Sequence, residues 1–95
     1  MQSYTFKQLT ALLGDNITLT DSQGSRLQLV IHNVEQGVQS APQWEDFALY
    51  LLGQENIRVP QGNYMFEHPA LGAETLFMSP KSQVEYEIVF NRRVV

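Results

Sequence analysis

Residues 60–80 read PQGNYMFEHPALGAETLFMSP and combine prolines, glycines, aromatic residues and a histidine in one short stretch. The stretch predicts a β-hairpin. Pro60 presets the backbone φ of a turn that ends at Gly62. The segments NYMFEH and ETLFMS follow as two short strands. Gly72 permits the positive φ that a reversal at PALG requires. The alternative is a reactive site around His68. The composition and the other motifs of the chain help to decide between the hairpin and the reactive site.

The bulk composition indicates a small folded domain. The chain has 95 residues, of which 43% are hydrophobic and 17% are charged. These values are typical of a globular protein, and the length suits one domain over residues 1–95. The net charge of −4 disfavours nucleic acid and an anionic membrane surface as partners, because both attract cations.

The chain contains no cysteine, which excludes disulfides and cysteine-bound zinc. The N-terminal sequence MQSYTFKQL does not have the pattern of a secretory signal. The longest apolar run, Ala48 to Leu52, is too short to span a membrane. We therefore expect a cytoplasmic protein with no membrane partner.

The hydrophobic pattern predicts a mainly β (α+β) fold, a small antiparallel barrel or curled sheet of about six strands with one N-terminal helix. The helix is expected over residues 5–13, with Thr5 as its cap and Gly14 after its end. Residues 16–92 are β-rich, and the segment VEYEIVFNR, 84–92, shows the clearest alternation.

The segment WEDFALYLL, residues 44–52, fits two structures because its apolar residues occupy both parities. We favour a strand, since the segment is short, aromatic and bounded by Pro42 and Gly53. Both faces of that strand would then be covered, one of them by the N-terminal helix. A buried helix stays the alternative.

Few residues offer catalytic or metal-binding chemistry. His32 and His68 are the two histidines, so a three-histidine metal site is excluded. No nucleophile elbow and no phosphate-binding glycine motif occurs. We predict no enzyme, no catalytic residue, no metal and no cofactor. The alternative is a small-ligand-binding protein or minor hydrolase that uses His68 with Glu67 or Glu87.

Two surfaces offer themselves for protein contact. The last strand ends in NRRVV, so its edge is a place where another chain's strand could be added. An exposed aromatic patch is the other, although burial in the core is favoured for its members. Those members are Trp44, Tyr50, Tyr64 and Phe66.

The stretch from Pro60 to Arg92 resembles a family of small bacterial domains of unknown function, with the signature PQGxY, HPxLG, LFxxP and YExxFNR. The matching residues are Pro60, Gln61, Gly62, Tyr64, His68, Pro69, Leu71, Gly72, Leu76, Phe77, Pro80, Tyr86, Glu87, Phe90, Asn91 and Arg92. Members of that family are sometimes encoded near phage-tail-collar-like or fibre proteins. The resemblance therefore implies an accessory or assembly role, and it carries no catalytic residues.

From these observations we expect a non-enzymatic protein-interaction or assembly module, accessory to a phage-tail-like or fibre-like structure. Its partner would be another protein or a second copy in a homo-oligomer. The candidate binding residues are Tyr64, His68, Glu87, Asn91 and Arg92. Whether His68 is structural or functional stays open at this point.

Overall fold

The structure, a computed structural model, describes residues 4–37 and 44–93. Only the backbone is described for Trp44, Glu45, Arg92 and Arg93. The helix and the six strands are α1 (Phe6–Ala11), β1 (Asn16–Thr20), β2 (Arg26–Gln36), β3 (Trp44–Leu52), β4 (Gly62–His68), β5 (Gly72–Pro80) and β6 (Glu85–Arg93).

The six strands form a closed barrel in the order β1, β2, β3, β6, β5, β4. Every neighbouring pair is antiparallel. The predicted small antiparallel barrel with a short N-terminal helix is therefore confirmed. Residues 44–52 are a strand, as favoured, and the alternative of a buried helix is wrong.

The barrel core is built from alternate residues of each strand, as the period-two pattern predicts. In β3, Leu49 and Leu51 are fully buried. Between them Tyr50 is only half-buried, as are its outward neighbours Ala48 and Leu52. The expected cover over the outer face of β3 is therefore only partial, because the barrel buries one face of its strands and leaves the other facing outward.

Helix α1 is shorter than the predicted range of 5–13. Thr5 is the N-cap, as expected, and its side chain accepts a hydrogen bond from the Gln8 amide at 3.2 Å. The apolar side of the helix enters the barrel core, with Leu9 fully buried. The ring of Phe6 meets the inward-facing Phe47 edge to face at 5.9 Å. The helix thus packs into the core against the inward face of β3, which is the one face of that strand that it covers.

The stretch 60–80 forms the β4–β5 hairpin. The two strands pair from Gly62 with Met78 to His68 with Gly72. At the reversal the Leu71 amide donates to the His68 carbonyl at 3.0 Å, and Gly72 has a φ of 76°. The hairpin prediction is confirmed.

Candidate interaction site

β5 and β6 form the shortest ladder of the barrel. In the described part of the chain they pair only at Ser79 with Glu87 and at Pro80 with Tyr86. The other neighbour of β6, strand β3, pairs with it at nine positions. The barrel is therefore closed between β5 and β6 at one end of these strands, and the ladder stops there.

The next outward-facing position of the same register would place Phe77 opposite Val89. Within the described residues these are the two most exposed large apolar side chains, 52% and 62% exposed respectively. We call the segments that do not pair with each other, residues 73–78 of β5 and 88–93 of β6, the β5–β6 opening. Its outer rim is apolar at the point where the ladder ends.

Backbone N–H and C=O groups of β5 and β6 point across the opening toward the other strand. The Lys81 amide donates to the Glu85 carbonyl at 2.8 Å. Because backbone polar groups alternate sides along a strand, odd-numbered residues of β5 and β6 direct their N–H and C=O groups toward each other. Phe77 and Val89 both have this parity, yet neither has a ladder partner across the opening among the described residues.

The N-terminal segment packs inside the barrel. The Tyr4 side chain is fully buried, and its hydroxyl donates toward the carbonyls of Phe66 at 3.0 Å and Gly72 at 2.9 Å. Two residues further, Phe6 contacts Phe47 of β3. The segment therefore reaches from the β4–β5 hairpin to β3 through the core of the barrel.

Burial changes the ionisation of Tyr4. It raises the pKa of the Tyr4 hydroxyl to about 12, and the negative charges of Glu74 and then Glu67 act in the same direction. The neutral hydroxyl is therefore the form that the folded protein favours, and it is the form that donates to the two carbonyls.

Three of the predicted binding residues lie on β6. Glu87 is half-buried at the last rung of the ladder and accepts a hydrogen bond from the Tyr50 hydroxyl at 3.2 Å. Burial, followed by this hydrogen bond to Glu87, raises the pKa of Tyr50. Asn91 is exposed within the opening. The backbone of Arg92 pairs with Glu45 of β3, and its side chain lies outside the described set.

His68 lies at the end of β4, away from β6. Its side chain is only 7% exposed, and Nε2 lies 3.1 Å from Oδ2 of Asp15. The Ala70 amide donates to Nδ1 at 2.9 Å. Nδ1 is therefore an acceptor, and Nε2 carries the hydrogen that it donates to Asp15. Both ring nitrogens are thus occupied, and the acidic partner is Asp15 where the sequence had suggested Glu67 or Glu87.

A shallow cavity of about 310 Å³ lies beside His68, and Thr18, Arg26 and Glu67 also line it. Glu67 neighbours His68 in the chain but has the opposite parity, and its carboxylate lies 3.8 Å from Arg26. The imidazole of His68 lines this cavity, but both of its ring nitrogens already have protein partners and neither is available to a ligand.

Tyr64 is half-buried on β4, and its hydroxyl donates to the Pro60 carbonyl at 2.6 Å. It lines a separate groove near the start of β4. Tyr64 and His68 are therefore not brought together with the β6 residues, because β5 lies between β4 and β6 in the barrel. Of the five candidates, Asn91 and the backbone of Arg92 lie within the opening, and Glu87 lies at the rung that borders it.

The three members of the aromatic patch whose side chains are described do not form one surface, and the side chain of the fourth, Trp44, lies outside the described set. Phe66 is fully buried in the core, and Tyr50 and Tyr64 lie on strands β3 and β4, which are not neighbours. The residues that sequence reasoning missed are Phe77 and Val89. A signal for them was present, since each is an apolar residue on the outward parity of an alternating strand.

Among the residues with described side chains, no three of the types His, Asp and Glu are grouped as a metal ion requires. The described part of the chain also has no helix with the length and apolar character that crossing a membrane demands.

Comparison with known proteins identifies the family. Residues 4–90 match DUF6916, described as a domain of unknown function. No curated protein and no solved structure matches the chain significantly.

Proposed function

The chain belongs to the DUF6916 family, and we propose that it is a protein-interaction module that binds an extended segment of another protein at the β5–β6 opening. The observation that carries the proposal is the end of the β5–β6 ladder at Ser79 and Glu87. The exposed pair Phe77 and Val89 lies directly beyond that rung.

A strand edge binds extended segments through its backbone. Unpaired N–H and C=O groups on an edge form main-chain hydrogen bonds with an added strand, and adjacent side chains provide selectivity. Phe77 and Val89 supply apolar contacts beside those groups. A large exposed apolar pair on an otherwise polar face is typical of an interaction surface.

Charge defines the chemistry of the partner segment. Glu87 lies at the rung where the opening starts, Glu85 precedes it on the same parity, and both are half-buried. The whole chain carries a net charge of −4. We therefore propose an extended partner segment that places an apolar residue beside Val89 and a lysine or arginine beside Glu87, since opposite charges on neighbouring strands stabilise pairing.

The resemblance noted from the sequence supports a finer proposal about the setting. A family associated with phage-tail-collar-like and fibre proteins suggests that the partner belongs to a tail-like or fibre-like assembly. Strand addition suits such a role, because it joins small domains to larger structures without a deep pocket.

The test is capture of partners by the purified protein from its native host, followed by mass spectrometry. We expect Phe77→Lys and Val89→Lys to abolish capture of the partner, because each introduces a charge that an added strand must bury. Leu13→Lys is the matched control, since Leu13 is also an exposed apolar residue, 45% exposed, outside the opening. Thermal denaturation of each variant is measured first, and capture is compared only among variants whose melting temperature matches that of the unmodified chain.

Binding at the opening also has a direct signature. The amides of Phe77 and Val89 should become protected from hydrogen exchange when the partner is added. Capture that survives both lysine substitutions would refute the proposal. So would the absence of any specific partner together with a strictly monomeric mass by light scattering. If the captured chain is a second copy, light scattering reports a dimer that Val89→Lys dissociates.

We propose no catalytic function for His68. The support for this position is geometric, since a general base needs a free ring nitrogen within reach of a substrate. Nδ1 accepts from the Ala70 amide and Nε2 binds Asp15. These contacts suit a histidine that fixes the β4–β5 reversal against the segment that precedes β1.

A further inference from the structure

A groove of about 640 Å³ lies on the barrel at the β1–β2 turn, away from the β5–β6 opening. One wall is the turn, residues 21–25, and the other is the connection between β3 and β4 at residues 57–60. The volume falls in the range of about 300–1,000 Å³ that is usual for small-molecule sites. We call it the Arg58 groove.

The interior of the Arg58 groove is apolar. Leu19 and Val59 line it and are buried, at 3% and 8% exposure. Leu27 and the ring of Tyr64 are half-buried beside them. Ile57 stands at the rim with 38% of its surface exposed. A ligand with an apolar body would cover this surface and remove it from water.

Both walls of the groove are held in place without a ligand. The hydroxyl of Tyr86, a fully buried residue, accepts a hydrogen bond from the Val59 amide at 3.0 Å. On the opposite wall, the Asp21 carboxylate accepts from the amides of Gln23 and Ser25, each at 2.9 Å. Binding therefore requires little ordering of these segments, which favours affinity.

Two arginines border the groove. Arg26 opens β2 and Arg58 belongs to the opposite wall. The chain has six lysines and arginines and ten acidic residues. The groove therefore has two positively charged residues on its border although the net charge of the protein is negative. Asp21 is the acid that lines the groove, and its Oδ1 is already engaged by the turn amides. The Arg26 side chain is 70% exposed and lies 3.8 Å from Glu67, a distance that leaves its other donors available.

We propose that the Arg58 groove binds an amphipathic organic carboxylate, with its apolar body on Leu27, Ile57 and Tyr64 and its carboxylate at Arg58 and Arg26. The guanidinium group matches a carboxylate in shape and charge. Two sources offer this chemistry, a free medium-chain acid and the C-terminal carboxylate of a peptide that ends in an apolar residue.

The test is an NMR titration of the labelled full chain with octanoate up to about 10 mM, a range that detects weak binding. We expect amide shifts confined to residues 21–27 and 57–64. Arg58→Gln should weaken octanoate binding about fivefold or more, the size of one charge-assisted contact. Ile57→Ser should also weaken it, while Lys7→Gln, which removes an exposed cation on α1, should leave it unchanged.

Two further ligands complete the test. One separates the contribution of the carboxylate from that of the apolar chain, and the other distinguishes a free acid from a peptide C-terminus. Octan-1-ol has the same chain without the carboxylate and should bind more weakly than octanoate. An acetylated dipeptide ending in leucine, tested against its C-terminal amide, reports on a peptide terminus. Tighter binding of the free-carboxylate peptide than of octanoate assigns the site to chain termini, and the reverse order assigns it to free acids.

The proposal is overturned if octanoate and octanol bind equally. It is also overturned if Arg58→Gln binds octanoate as the unmodified chain does, or if neither octanoate nor the peptide shifts the groove amides. Arg58 and Ile57 are both exposed, so their variants are expected to fold. Unchanged dispersion in the NMR spectra confirms that before each titration.

Discussion

The hydroxyl of Tyr4 fastens the N-terminal segment to the β4–β5 hairpin. It reaches the carbonyls of Phe66 and Gly72, residues far away in the chain. The side chain is fully buried, so the hydroxyl hydrogen is shared between two acceptors that the protein itself supplies. A buried hydrogen bond of this kind contributes about 1 kcal/mol to stability.

The raised pKa of Tyr4 predicts a specific dependence of stability on pH. The pKa rises from 10.0 to about 12 on folding. Between these values the unfolded chain has lost a proton that the folded chain keeps. The free energy of unfolding therefore falls as pH rises, by at most about 1.4 kcal/mol per pH unit for this one proton. The contribution is fully present below pH 10 and is lost as pH rises through the folded-state pKa.

Tyr4→Phe should remove that dependence. We expect urea denaturation between pH 10 and pH 12 to show a shallower loss of stability for Tyr4→Phe than for the unmodified chain. Subtracting the two curves cancels the other tyrosines and the lysines, which titrate in both proteins. Parallel curves would show that Tyr4 does not favour its neutral form on folding.

Gly72 decides the geometry of the β4–β5 hairpin at the scale of the element. Its φ is 76°, in the region where a side chain strains the backbone. A Cβ placed there would meet nothing within 4 Å. The requirement for glycine is therefore conformational and not a matter of space.

Gly72→Ala should destabilise the protein by roughly 1–2 kcal/mol, the cost of left-handed backbone for a residue with a side chain. Gly62→Ala is the matched control on the same hairpin, since the atoms nearest to its added Cβ belong to the Tyr64 side chain, at 3.7 Å, an ordinary contact. We expect the control to change stability by less than about 0.5 kcal/mol. Urea denaturation of the two variants measures both effects, and an equal loss in each would contradict the role assigned to Gly72.

The closure of the barrel is uneven at the scale of the whole molecule. β3 has neighbours along most of its length on both sides, β2 and β6. β5 has a full ladder with β4 but only two rungs with β6. Amides in the double ladders exchange with solvent only when the fold opens, whereas an unpaired edge exchanges from the native state.

Hydrogen exchange measured by NMR on the free protein should show this difference residue by residue. We expect alternation within β6, with slow exchange at Ile88, which faces β3, and fast exchange at Val89, which faces the opening. Leu49 and Leu51 of β3 should be among the slowest amides. Equal protection at Ile88 and Val89 would mean that the β5–β6 ladder extends further than its two rungs.

Much of the fold was predictable because it depends on local chemistry. Thr5 before an apolar helical stripe marks a helix start, and the residues of the 60–80 stretch mark a hairpin. The alternation of Tyr86, Ile88 and Phe90 correctly predicted which face of β6 is buried. The candidate site was predicted only in part. Glu87 and Asn91 lie at the edge of the opening, whereas Tyr64 and His68 do not.

The sequence by itself determined the strands, their buried faces and the turn at Gly72, since alternation and positive φ are properties of a few neighbouring residues. Only the tertiary structure decided the acidic partner of His68, which is Asp15 at a separation of 53 residues. It also decided that the β5–β6 ladder ends after two rungs beside Phe77 and Val89. The reason is that both features depend on residues far apart in the chain, and a local pattern does not encode how distant segments pack. The stretch 60–80 is thus a hairpin whose second strand carries one rim of the β5–β6 opening, the site that we propose for partner binding.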